Sequence, residues 1–162
     1  MIHKMKVLIL GIGNLLRSDD GVGLHIIEAL RKENLGDHVD LLEGLSGLDI
    51  LDAMKGYDRI ILVDATKTGG EPGTIHELSL KDIQDKHTNH SFSTHLNMDL
   101  QTMLELGDRL FPGKIPKDIR IIGIEAEDVT TISDKCTPKV EQAMPATINL
   151  IKEHYLKGSP VQ

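Results

Sequence analysis

Tryptophan is absent from this 162-residue chain, and Tyr57, Tyr155, Phe92 and Phe111 are its whole aromatic complement. A stacking platform for nucleobases or a flavin has nothing to be built from. Cysteine occurs once, as Cys136, which excludes an internal disulfide and a thiolate metal cage. No apolar run reaches the roughly 18–20 residues of a membrane span, and Met1 to Lys6 leads into a run ending at Gly11 that reads as a strand. Basic residues are the minority: 18 against 25 acids leave a net charge of −7, the wrong sign for neutralising phosphates. Nucleic acid and anionic membrane are therefore poor partners, and a cytoplasmic protein is expected. Eight histidines and the acids remain as the source of metal or proton chemistry.

With 40% hydrophobic and 27% charged residues, the chain has the makings of one core. A single domain is expected over residues 1–156, with 157–162 as a frayed tail. Lys6 to Leu10 is short and continuously apolar, as a strand buried on both faces should be. Gly11-Ile-Gly13-Asn14 ends it, and Val22, Ile26, Ala29 and Leu30 then make one helical stripe. His38–Glu43 and Arg59–Asp64 read as further strands, with a short helix near Leu48–Met54 between them. Gly69-Gly70-Glu-Pro72-Gly73 is a dense turn signal before an edge strand at Thr74–Leu78. Residues 85–94 are polar and without period, which predicts an exposed loop. A helix follows from near His95, then a buried strand over 118–124. Thr137-Pro138 reads as the cap and first residue of a final helix that continues through Ile151. The alternation predicts a three-layer α/β fold: a mostly parallel twisted sheet of about five strands, with helices on both faces. If strand order begins 2-1-3, a ligand crevice lies between the first and third strands, beyond their carboxyl ends.

Gly11-Ile-Gly13-Asn14-Leu-Leu16 resembles a dinucleotide fingerprint but has Leu16 where the third glycine should stand, and the acids Asp19-Asp20 follow where a phosphate would sit. A tight strand-to-helix turn explains its glycines. Within Ser18-Asp19-Asp20-Gly21, one residue suffices to cap the first helix, which leaves an acid to face the crevice; capping alone also accounts for the pair. Asp64 says more. It follows four apolar residues where a buried strand emerges, and a charge there is costly unless a cation or donors hold it. His3, His38, His76 and His154 read as solvated surface and His87 and His90 as loop polarity. His95 opens a helix, where the dipole favours a neutral, metal-competent ring; read locally, it is first of all an ordinary first-turn residue. Asp20, Asp64 and His95 together make an oxygen and imidazole set suited to nickel, zinc or manganese. The serine-elbow and zincin motifs are absent, as is the pepsin-like signature, and Cys136 has no evident histidine partner.

Together these residues resemble the hydrogenase maturation endopeptidases, which trim the large subunit of nickel-iron hydrogenases. The resemblance rests on Gly11-Ile-Gly13-Asn14-Leu15 with Asp19-Asp20-Gly21-Val-Gly23, on Asp64-Ala65, on Ser93-Thr94-His95, on Gly123-Ile124-Glu125, and on Thr137-Pro138 through Pro145. It implies a five-stranded α/β fold and removal of a C-terminal extension from the nickel-loaded precursor. It also implies nickel ligation by Asp20, Asp64 and His95, with zinc or another divalent ion as surrogate and the nickel supplied by the substrate. Asp20 or Asp64 would serve catalysis as general base, or the metal would activate water. The expected partner is the hydrogenase large-subunit precursor, met by a monomer. A non-catalytic assembly factor is the alternative, and a nucleotide-binding module ranks below it. The chain departs from the family at Glu125-Ala126, where members often carry Gln-Pro, and at the loop Glu43-Gly-Leu-Ser46-Gly47.

Overall fold

A computed structural model describes residues 4–84, 91–92 and 100–156. Strand β1 (Val7–Gly11) is wholly buried and leads through a 3-10 turn, Ser18–Gly21, into α1 (Val22–Leu30). Next come β2 (Val39–Glu43) and α2 (Leu48–Met54), followed by β3 (Arg59–Lys67) and the edge strand β4 (Ile75–Ser79). After α3 (Leu80–Gln84), the two-residue β5 (Ser91–Phe92) precedes α4 (Leu100–Leu110). β6 (Asp118–Glu125) and α5 (Pro138–Leu150) complete the layers. α5 holds Pro145 in its interior and continues into a π-helical turn, Ile151–Tyr155.

The sheet order is β2-β1-β3-β6-β4. The β2–β1, β1–β3 and β3–β6 pairs are parallel, whereas β4 runs antiparallel to β6. The order begins 2-1-3, the condition under which the crevice falls between β1 and β3, and the predicted edge strand is present. Alternation along β3 divides the core between the two faces of the sheet. Ile61, Val63 and Ala65 join the core under α1 and α5, and Ile60 and Leu62 join the one under α2 and α4.

Two segments differ from the sequence reading. α3 is a helix absent from the sequence-based expectation, too short at five residues to show a period. Within the polar 85–94 stretch, Ser91 and Phe92 pair antiparallel with Lys67 and Thr66. The pairing exists because β3 outruns β1: β1 leaves at Gly11, opposite Val63, and β5 takes up the same strand three residues further on. Residues 157–162, expected as a tail, lie outside the described residues.

At the amino ends of the strands, buried Arg59 donates to Asp118 at 2.8 Å and to the Tyr155 carbonyl at 2.9 Å. Arg120 holds the other Asp118 oxygen at 2.9 Å. The Tyr155 hydroxyl donates to Glu77 at 2.6 Å, and burial, followed by that carboxylate, pushes its pKa up. This end is closed by the protein's own opposite charges.

α1 lies against β1 and β3 closely enough to demand glycine. A Cβ on Gly23 would fall 2.4 Å from the Val63 carbonyl oxygen and 2.7 Å from that of Ile12. One on Gly11 would fall 2.6 Å from Ile27 Cγ1. Gly23→Ala is therefore expected to lower the unfolding free energy by about 1–3 kcal/mol, the usual cost of overpacking, read as a lower urea midpoint at unchanged slope.

Candidate active site

The crevice opens where β1 ends and β3 continues. The Ile12 amide donates to the Val63 carbonyl at 2.9 Å, the last rung between the two chains, and Asp64 is the next residue of β3. It is 2% exposed, and its Oδ1 accepts from the Ala65 amide at 2.8 Å. By strand alternation its side chain belongs to the Ile60 and Leu62 face, the one covered by α2 and α4.

The 3-10 turn carrying Asp19 and Asp20 packs against β3, so Asp20 and Asp64 belong to one corner of the fold. The adjacent acids divide their work. Asp19 is fully buried, and both of its oxygens are committed. Oδ2 accepts from the Glu127 and Asp128 amides at 2.9 Å each. Oδ1 accepts from the Thr137 amide at 2.7 Å, and the Thr137 hydroxyl lies within 3.0 Å of either oxygen. The sequence reading made Ser18 or Asp19 the cap of α1 and Thr137 the cap of α5. Thr137 is the N-cap residue of α5, with Pro138 directly after it, whereas the N-cap residue of α1 is Gly21; neither makes a side-chain cap bond. Asp19 reaches across the chain to hold the start of α5, and the Thr137 hydroxyl serves that contact.

Asp20, 7% exposed, accepts from the Asn14 amide at 3.1 Å through Oδ2. Its carbonyl accepts the same amide at 3.2 Å. Gly13 sits over it with φ 140°, and a Cβ there would fall 1.9 Å from the Asp20 carbonyl oxygen. The glycines of the first loop thus fold the chain back onto Asp20. His95, the third predicted ligand, lies outside the described residues, as do His87 and His90. Among the described residues no group of three or more His, Cys, Asp or Glu is placed to hold a metal.

Glu125 is a further buried acid at this end of the sheet, not singled out among the candidate residues. It ends β6, is 1% exposed, and pairs in register with Thr66, two residues beyond Asp64. Its carboxylate accepts from the Thr68 amide at 2.9 Å, the Thr68 hydroxyl and the Gly70 amide at 3.2 Å. His76 Nε2 lies 3.4 Å away; the ring is half-buried, not the solvated surface expected of it. Burial pushes the Glu125 carboxyl up, but the bonds from Thr68, Gly70 and His76 outweigh it and hold it below its ordinary value. The available signal was an acid directly after an apolar strand, the same one that singled out Asp64. Burial, then Asp19 and Glu141, push the Cys136 thiol up to about 12, which disfavours the thiolate.

The fold is α/β, with buried acids gathered at the carboxyl ends of its parallel strands. Comparison with known proteins narrows this. Residues 24–154 match the model of the hydrogenase maturation protease family. A putative hydrogenase maturation protease of Methanocaldococcus jannaschii is 31% identical, over 94% of this chain and 100% of its own. The hydrogenase 2 maturation protease of Escherichia coli is 29% identical, over 88% and 90%. Among solved structures, the E. coli hydrogenase maturating endopeptidase HybD superposes with a TM-score of 0.77 at 30% identity, covering 91% of this chain and 90% of that one. This chain belongs to the hydrogenase maturation protease family and is a hydrolase of the endopeptidase kind. Among the described residues no helix is long and apolar enough to cross a membrane.

Two outcomes follow. Asp19→Ala strands several buried donors at once and is expected to cost at least about 3 kcal/mol, since each bond to a charged group is worth about 1.5–3; chemical denaturation measures it. Glu125, with its pKa lowered in the fold, contributes stability that is present above the ordinary value of 4.5 and lost as pH falls below it. Glu125→Gln is expected to flatten that acid-side loss in a pH series of urea melts.

Proposed function

We propose that the protein removes the C-terminal extension from the nickel-loaded large-subunit precursor of a nickel-iron hydrogenase, acting as a monomer in the cytoplasm. The observation that carries this reading is the placement of two buried acids, Asp20 and Asp64, beside the point where β1 ends and β3 runs on. Loops at that edge are where parallel sheets hold their ligands. The names of the relatives supply the hydrogenase; the carboxylate pair supplies the chemistry.

Two buried carboxylates suit a divalent cation, and a borderline ion such as nickel accepts imidazole as a further ligand. Asp20, Asp64 and His95 would hold the nickel that arrives in the precursor, which makes the metal part of the substrate. β5 bears on the third ligand: Phe92 pairs with Thr66, so the chain leaves for His95 from beside the end of β3. Held there, nickel would supply Lewis acidity toward the scissile carbonyl or a water. Alternatively, Asp20 or Asp64 would serve as general base, taking the proton from the attacking water and returning one to the leaving amine. Asp19 and the glycine loop act earlier, by fixing Asp20 before substrate arrives.

Incubation with nickel-loaded precursor, followed by mass spectrometry, tests the reading. Wild-type protein is expected to release the C-terminal peptide. Asp64→Ala and His95→Ala should lower the rate by at least about 100-fold, the scale of removing a positioned acid–base group, and Asp20→Asn should do the same while melting normally. A precursor of unchanged mass in the presence of nickel sinks the protease reading and leaves an assembly factor. One nickel held tightly by the purified protein alone sinks the borrowed-metal part.

A further inference from the structure

Six large apolar side chains stand exposed among the described residues, and three of them converge on one rim of the crevice. Leu15 is 41% exposed, Leu16 61% and Ile132 87%. The first two follow Asn14 in the glycine loop, whereas Ile132 belongs to the β6–α5 connection, more than a hundred residues on. A short parallel bridge between Arg17 and Ser133 joins them: the Ser133 amide donates to the Leu16 carbonyl at 3.0 Å and the Ser18 amide to the Ser133 carbonyl at 2.9 Å. The lip is built from within. The Asn14 side-chain oxygen accepts the Leu16 amide at 3.0 Å, and Asp128 takes the amides of Thr130 and Thr131 at 2.9 and 3.0 Å, which fixes the turn leading to Ile132.

The lip is also tied to the chemistry. The amide of Asn14, one residue before Leu15, is the donor to Asp20. A Cβ on Gly21 would fall 3.1 Å from Leu15 Cα, so the lip lies directly on the turn that carries Asp20. Exposing an aliphatic β-branched side chain almost completely, on a connection held rigid, gains the folded monomer nothing.

We propose that Leu15, Leu16 and Ile132 form a docking lip for an extended apolar segment of the precursor's tail next to the scissile bond. This rests on the protease reading of the same crevice. Charge decides the kind of segment. The charges flanking the lip are Arg17 and Lys135 against Glu127, Asp128 and Asp134, which leaves no positive excess to draw an acidic chain, so the lip selects apolar chain over acidic chain. Its continuity with the Asp20 turn makes that chain the substrate's tail and not a separate partner. The lip contributes binding; the acids do the cutting.

Leu16→Ser, Ile132→Ser and the double variant test this, with Leu110→Ser, exposed at the far end of α4, as control. Their exposure keeps the fold intact, which a melt confirms. With nickel-loaded precursor, the double variant is expected to raise KM about tenfold or more, the scale of losing a small apolar hot spot, at a kcat within about twofold; Leu110→Ser should leave both unchanged. If wild type cuts and the double variant shows the wild-type KM, the lip proposal is wrong. If wild type does not cut, the protease reading fails, and the lip is judged on binding of precursor by calorimetry: an affinity weakened about tenfold in the double variant supports it, and an equal affinity overturns it.

Discussion

A single buried carboxylate ties together the parts of this molecule that the sheet alone leaves separate. Asp19 lies on the turn after β1, and everything it binds comes from the connection between β6 and α5 or from the first residues of α5. Those groups stand more than a hundred residues away along the chain. Without the contact, the turn would keep its backbone ties to that connection, from Asp19 to Asp128 and between Arg17 and Ser133, but the amide and hydroxyl of Thr137 at the start of α5 would lose their acceptor. A buried acid that accepts four donors is costly to remove and unambiguous in geometry. Through it, the position of Asp20 depends on β6 and α5 as much as on β1.

The glycines work on the same corner from the other side. Gly11 and Gly23 let α1 approach β1 and β3 to a distance at which no side chain fits, which brings the turn before α1 down onto the carboxyl end of β3. Gly13 lets the chain fold back over Asp20. A motif that resembles a phosphate loop is thus used to press an acid against a strand end. Its glycines serve close backbone approach, as they would in a nucleotide site, with a carboxylate at the point of closest contact.

The architecture could be read in the sequence because its signals are local. Continuous apolar runs marked β1, β3 and β6, and a weak alternation after a dense turn signal marked β4 as an edge. Strand order beginning 2-1-3 is enough to bring the ends of β1 and β3, and with them Asp64 and the Asp19-Asp20 pair, to one edge of the sheet. Interactions between distant residues could not be read. That Asp19 caps α5 and not its own helix depends on a contact across the fold, and local capping rules had no means of choosing it. Glu125 was missed for a similar reason: its donors come from the β3–β4 loop, and a run such as Thr68-Gly69-Gly70 reads only as a turn. The polar 85–94 stretch hides a two-residue strand because pairing there needs the overhang of β3 beyond β1, a property of β3 and not of the stretch itself.

The two ends of the sheet treat buried charge in opposite ways. At the amino end, Asp118 is held between two guanidiniums, and Arg59 is turned inward onto a carbonyl. Negative charge there is cancelled by cations that belong to the chain. At the carboxyl end, Asp19 and Glu125 are met by backbone amides and hydroxyls, groups that orient a carboxylate without cancelling its charge. Asp20 and Asp64 lie in the same region, also in contact with amides. A crevice built this way keeps a negative potential focused by its low-dielectric walls. That suits a protein proposed to meet its metal inside a partner. The field favours a cation brought in by the substrate, and the apolar lip beside it gives a neutral chain somewhere to lie. Cation and chain are then recognised by different chemistry within one corner of the fold, so a precursor offering only one of them would engage only half of the surface.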